Sequence, residues 1–271
     1  TLGRGSTALG YATLFNQNFT TATTTQNTAL GYYAGVSITT GVENTLIGSL
    51  AGDALTDTDY NVAIGTYALT ADTLGARNVA IGRSALATQN FTTATDSYNV
   101  AVGYHAGAAV TVGFSNTLIG GLAGEDLTEG NMNTAVGRNA LASDTKGDRN
   151  VAIGRFALST QNFTTSTDSY NVGVGMNAGS SVTTGIQNVL IGPLTGDALT
   201  DADFNVAVGL SALGADTLGS RSVAIGHQCL AAQNFTTATN AYNTAIGFEA
   251  GNNVQTGYQN TLIGALSHDN L

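Results

Sequence analysis

A five-residue phrase, Asn-(Thr/Val)-(Ala/Leu)-(Ile/Val/Leu)-Gly, recurs fifteen times in this 271-residue chain, and its spacing limits the fold more than any other feature. Its closing glycines take one long step, from Gly10 to Gly31, and then three equal shorter ones, to Gly48, Gly65 and Gly82. The same four steps start again at Gly82, at Gly154 and at Gly226, so the chain is a duplicated four-unit cassette. Self-similarity of this kind marks an array, to be read before any active site is sought. Units this short leave no room for a helix and its return, β-branched residues cluster, and a glycine closes every apolar run. The pattern predicts an all-β parallel β-solenoid, each coil carrying two short strands and two bends and hydrogen-bonding to the coils above and below. At a strand spacing of about 4.8 Å, fifteen coils make a rod of roughly 70 Å. Residues 1–271 read as a single repetitive domain.

Within the phrase the first residue is Asn in thirteen copies and Ser in two (Ser6 and Ser222), and the last is always Gly. The Gly suits a bend with positive φ or a close backbone approach, and the Asn suits a turn or a stacked amide ladder. Strand alternation sends positions two and four, such as Val79 and Ile81, to one face and position three, Ala80, to the other. Both faces are apolar. With Val79 and Ile81 assigned to the interior, position three becomes an exposed stripe of ten Ala, one Gly and four Leu. A continuous stripe of that kind marks an interface, so Leu46, Ala80, Leu118, Ala152, Leu190, Ala224 and Leu262 are the expected contacts of a homotrimer packed about a three-fold axis.

Charged residues are only 10% of the chain and the formal net charge is −10 with a single lysine, Lys146, which argues against a nucleic-acid partner. No apolar run of about 18 residues is present, so this segment is not expected to insert into a membrane. Neither end reads as the polar cap a solenoid needs, so a segment of a longer fibre, or an assembly stacking end to end, is expected. Cys229 stands in a column otherwise occupied by Ala, Thr or Ser and reads as a small buried side chain.

The phrases "NVAIGRSAL", "NTALGYYAG" and "NVAIGRFAL" resemble the head repeats of trimeric autotransporter adhesins and related phage tail and surface fibres. That resemblance covers essentially the whole chain. It implies a left-handed parallel β-roll in which three chains wind about one axis and project from a cell or virion. Both the short units, as from Gly31 to Gly48, and the long ones, as from Gly82 to Gly103, exceed that family's usual coils, and no coiled-coil stalk or anchor lies within these residues.

Three recurring features carry candidate chemistry. The long unit contains Asn-Phe-Thr at Asn18, Asn90, Asn162 and Asn234, an N-glycosylation acceptor pattern on an expected outward loop. The alternative is a duplicated loop whose Phe packs down. Asp53, Asp57 and Asp59 recur as Asp197, Asp201 and Asp203, and in weakened form as Glu125, Glu129 and Asn131. Such clustered oxygens suit either Ca²⁺ or a solvated loop that discourages aggregation. Asp72, Asp144 and Asp216 stand shortly before Arg77, Arg149 and Arg221, at the same spacing each time, which suggests a repeated ion pair. His105, His227 and His268 fall in different columns and compose neither a metal cluster nor a triad.

No catalytic, cofactor or metal residues emerge. The expected function is a non-enzymatic, extracellular fibre segment for structural extension and surface or receptor attachment. A self-assembling filament subunit and a tailspike-like polysaccharide-degrading enzyme are the alternatives. Residues that vary between copies are the expected source of any recognition, and those immediately after the phrase Gly, among them Tyr32, Arg83, Tyr104, Met176, His227 and Phe248, read as surface residues.

Overall fold

The computed structural model describes residues 2–268, and the chain divides into two compact units, 1–132 and 133–271. Both are parallel β-solenoids, and no described residue is helical. Each phrase forms one three-residue strand: seven in the first unit, from Thr7–Leu9 to Thr117–Ile119, and eight in the second, from Thr134–Val136 to Thr261–Ile263. Within a unit the strands stack in chain order and in register, so that Ala63 pairs with Ala80 and Ala80 with Ala101. The expected second strand is mostly absent among the described residues. It forms only where a long unit meets the coil before it, as a two-residue pair: Thr95–Asp96 lies parallel to Gly75–Ala76, and Thr167–Asp168 to Gly147–Asp148.

The two faces of the strand are the reverse of the sequence expectation. Ala80, Ala152, Ala224, Leu46, Leu118 and Leu190 are fully buried inside the coil, and Leu262 is half-buried. Val79 and Ile81 point outward and are half-exposed. The reason is the bore of the coil. Position three faces the small residue three places after the phrase Gly, such as Ala68 or Ala85, and the next residue, Leu69 or Leu86, all fully buried. Paired β-branched side chains do not fit there. At Leu46, Leu118 and Leu190 that next residue is Gly52, Gly124 and Gly196, whereas at Leu262, in the last coil, it is His268. A Cβ on Gly35 would stand 2.6 Å from Leu46 Cδ1, and one on Gly52 2.8 Å from Leu46 Cδ2. Large and small residues thus interlock between neighbouring coils, as close-packed interiors require.

Two further devices hold the coils in register. The phrase glycine lies at φ near +135° and directly against the next one: a Cβ on Gly82 would be 2.3 Å from the Gly103 carbonyl oxygen. Conformation and contact both demand Gly there. The phrase asparagines form the expected ladder. The backbone N–H of Asn61 donates to Asn44 Oδ1 at 2.9 Å, that of Asn78 donates to Asn61 Oδ1 at 3.0 Å, and Asn61 Nδ2 donates to the Gly75 carbonyl at 3.0 Å. Buried amides are thereby satisfied in both directions.

Candidate functional site

The outward face of each stack is a chemically uniform surface. Its two columns contain only Thr or Val at position two and Ile, Val or Leu at position four in all fifteen phrases, with no charged residue. Ile119 is 38% exposed and Ile153 39%, because side chains in adjacent coils shield one another while the face as a whole remains open. In the first unit seven strands about 4.8 Å apart make this face roughly 30 Å long. Large side chains flank it on the side of the phrase Gly: Tyr32, Tyr104, Met176 and Phe248 are exposed, His227 is half-buried, and Tyr11 stacks on Tyr32 with ring centroids 5.6 Å apart.

The opposite edge, just before the phrase Asn, carries a column that sequence reasoning missed. Arg77 lies over the ring of Tyr60 at 4.6 Å and that of Tyr98 at 5.9 Å, and its Nε meets Asp96 Oδ1 at 2.9 Å. The arrangement recurs as Arg149 over Tyr170 with Asp168 beside it, and as Arg221 over Phe204 with Nε donating to Asn240. Aligning the residue before each Asn would have exposed this alternation of aromatic and Arg.

The ion pair expected between Asp72 and Arg77 is therefore not formed. Asp72 is fully buried and accepts from Gln89 Nε2 at 2.6 Å and from the backbone N–H groups of Gly75 and Phe91 at 3.0 Å each. Asp144 and Asp216 repeat these bonds with Gln161 and Phe163, and with Gln233 and Phe235. Burial pushes the Asp72 and Asp144 carboxyls above their ordinary range, with the donated hydrogen bonds opposing it. The role of this carboxylate is to tie the long corner loop onto its coil.

In that loop Phe19, Phe91, Phe163 and Phe235 are buried, while Asn18, Asn90, Asn162 and Asn234 are exposed. Below the second loop a cleft of about 350 Å³ opens between Asp57 and Asp59 on one wall and Thr95 and Asp96 on the other, over a floor of Leu74 and Ala76. The next cassette places Lys146 and Asp148 at the floor positions, so the cleft's chemistry is not repeated.

The acidic residues are individually engaged. Asp57 Oδ1 accepts from the Thr40 hydroxyl at 2.6 Å, Asp59 Oδ1 from the Val42 N–H at 2.7 Å, and Asp53 from the Thr70 hydroxyl. Burial raises the Asp53 and Asp197 carboxyls. Among the described residues no group of three or more His, Cys, Asp or Glu side chains is placed to hold a metal ion. His105 approaches Glu125 at 3.6 Å and His227 approaches Glu249 at 4.0 Å, at separate places. Cys229 is fully buried, its thiol donates to the Ala245 and Ala250 carbonyls at 3.1 and 3.3 Å, and burial pushes it up to about 11.

The chain matches no protein family, no curated protein and no solved structure.

Proposed function

We propose that this chain is a segment of a non-enzymatic extracellular fibre that assembles as a homotrimer and serves for extension and surface attachment. The observation that carries the reading is the outward face of each stack: two columns of Thr or Val and of Ile, Val or Leu, uninterrupted by charge. Contiguous exposed apolar surface of this kind marks association. The fifteen-fold repetition of that face gives copies of the same chain a matching surface at every coil, and the resemblance to adhesin head repeats supports three chains about one axis. The contact is assigned to Val79, Ile81, Val100, Val102 and their equivalents, in place of the inward Ala and Leu column. The corner loops and the variable residues after the phrase Gly then remain to meet a receptor or glycan on the target surface.

Light scattering after size exclusion tests the assembly. A mass of three 27.4 kDa chains is expected, and replacing Val100 and Val102 together by Asp should reduce it to one chain with the β-sheet circular dichroism retained. A wild-type monomer refutes the trimer. Fibres that lengthen with protein concentration would instead select the filament-subunit reading.

A further inference from the structure

We propose that Asn18, Asn90, Asn162 and Asn234 are acceptor sites for N-linked glycans, one on each corner loop. The acceptor pattern requires the Asn amide and the Thr hydroxyl two positions on to be presented together, and the loop does this by alternation. Gln89 is buried, Asn90 exposed, Phe91 buried and Thr92 exposed, and the same order holds at 161–164 and 233–236.

The amide also touches a hydroxyl of the neighbouring coil. Thr73 Oγ1 donates to the Phe91 carbonyl at 2.9 Å and stands 3.0 Å from the Asn90 amide, Thr145 Oγ1 donates to Phe163 at 2.7 Å and stands 3.0 Å from the Asn162 amide, and Thr217 Oγ1 donates to Phe235 at 2.8 Å and stands 3.1 Å from the Asn234 amide. Beyond that contact the Asn90, Asn162 and Asn234 side chains are exposed, as attachment at Nδ2 requires. Phrase asparagines do the opposite: Asn61 and Asn99 are buried and give Nδ2 to the Gly75 and Gly113 carbonyls. The chain thus keeps two classes of Asn, one consumed by the fold and one presented to solvent.

Attachment would leave the fold intact, because the backbone beneath is held independently. The Asn90 N–H donates to the Thr111 carbonyl at 2.9 Å and the Phe91 N–H to Asp72 at 3.0 Å. In the transfer, Nδ2 attacks the anomeric carbon of a hexose activated as a phosphate ester by the producing cell's glycosyltransferase. The new N–C bond forms as the C–O bond to phosphate breaks, the electron pair leaves with the phosphate, and one amide proton passes to the transferase. Asn18 and Asn90 lie four coils apart, so glycans would stand about 19 Å apart along that corner of the first unit. The inference holds whether or not the chains form a trimer.

Peptide mass spectrometry of the protein isolated from the cells or particles that make it is the test. Hexose-containing additions are expected on all four Asn-Phe-Thr asparagines and on no phrase asparagine. Unmodified peptides at all four sites, or additions on Asn61 or Asn99, overturn the proposal. Asn90→Gln and Thr92→Val should each remove one addition and leave the other three, with circular dichroism confirming the fold. Retention of the Asn90 addition in T92V also overturns it.

Discussion

Replacing Leu46 by Ala tests the inverted faces directly. The side chain is fully buried, with its Cδ1 beside Gly35 and its Cδ2 beside Gly52. Removing three carbons forfeits about 2.4 kcal/mol of transfer free energy at roughly 0.8 kcal/mol per carbon. The void adds about 1 to 2 kcal/mol, so a loss of about 4 kcal/mol is expected. Gly35→Ala alone should cost about 2 to 4 kcal/mol, because its Cβ would stand 2.6 Å from Leu46 Cδ1 and φ is +57°. In the double variant that methyl enters space Leu46 has vacated, with Leu14 Cδ2 at 3.0 Å and Ile38 Cδ1 at 3.2 Å as its remaining neighbours. The double variant should therefore lose about 1 to 2 kcal/mol less than the sum of the singles. Urea unfolding followed by far-ultraviolet circular dichroism measures the cycle, with amide exchange at Thr28–Leu30 and Thr45–Ile47 as a local readout. Had Leu46 faced solvent, L46A would be nearly neutral. A cost below about 1 kcal/mol, or additivity within about 0.3 kcal/mol, refutes the packing argument.

Gly82→Ala should cost about 2 to 6 kcal/mol from backbone strain and the clash with Gly103, whereas Gly121→Ala, whose Cβ would meet only the Tyr104 carbonyl oxygen at 4.0 Å, should stay within about 0.5 kcal/mol; equal melting temperatures would refute the distinction. Asp53, Asp72, Asp144 and Asp197 are all raised by burial. A carboxyl whose folded value lies above its unfolded one contributes stability that is complete below the unfolded value and lost as pH rises through the folded value. The wild-type urea midpoint should therefore rise as pH falls from 7 toward the carboxylate range, and Asp72→Asn with Asp144→Asn should flatten that slope; a midpoint that falls over this window contradicts the reasoning. Cys229, buried with its thiol pushed up to about 11, should resist iodoacetamide at pH 8 in the folded chain and react in denaturant, as intact mass would report.

Much of the architecture was written into the period. Short, regular steps between the phrase glycines, β-branched pairs and an invariant Gly exclude helices and demand stacked coils, because each copy has to repeat the backbone conformation of its neighbours. The Asn ladder and the Gly bend were legible for the same reason: a buried amide and a positive φ accept few residue types. The inside of the strand was not legible, since alternation separates two faces without saying which is in when both are apolar. The partner of Arg77 was equally hidden. It is Asp96, far along the chain on the next coil, while the nearer Asp72 turns inward to Gln89.

The sequence alone therefore determined the coil, its length and its period. Tertiary structure decided the direction of the side chains and the shape of the corners. Each coil turns through left-handed residues that are not Gly, such as Tyr67 at φ 60°, Leu69 at 52° and Arg77 at 62°. No local propensity marks them, because L-residues avoid that region. They hold it because their N–H groups bond to neighbouring coils, Tyr67 to the Ser49 carbonyl, Leu69 to Ala85 and Arg77 to Asp59. Stacking over-determines the corner and offsets a conformational cost that no single coil would sustain.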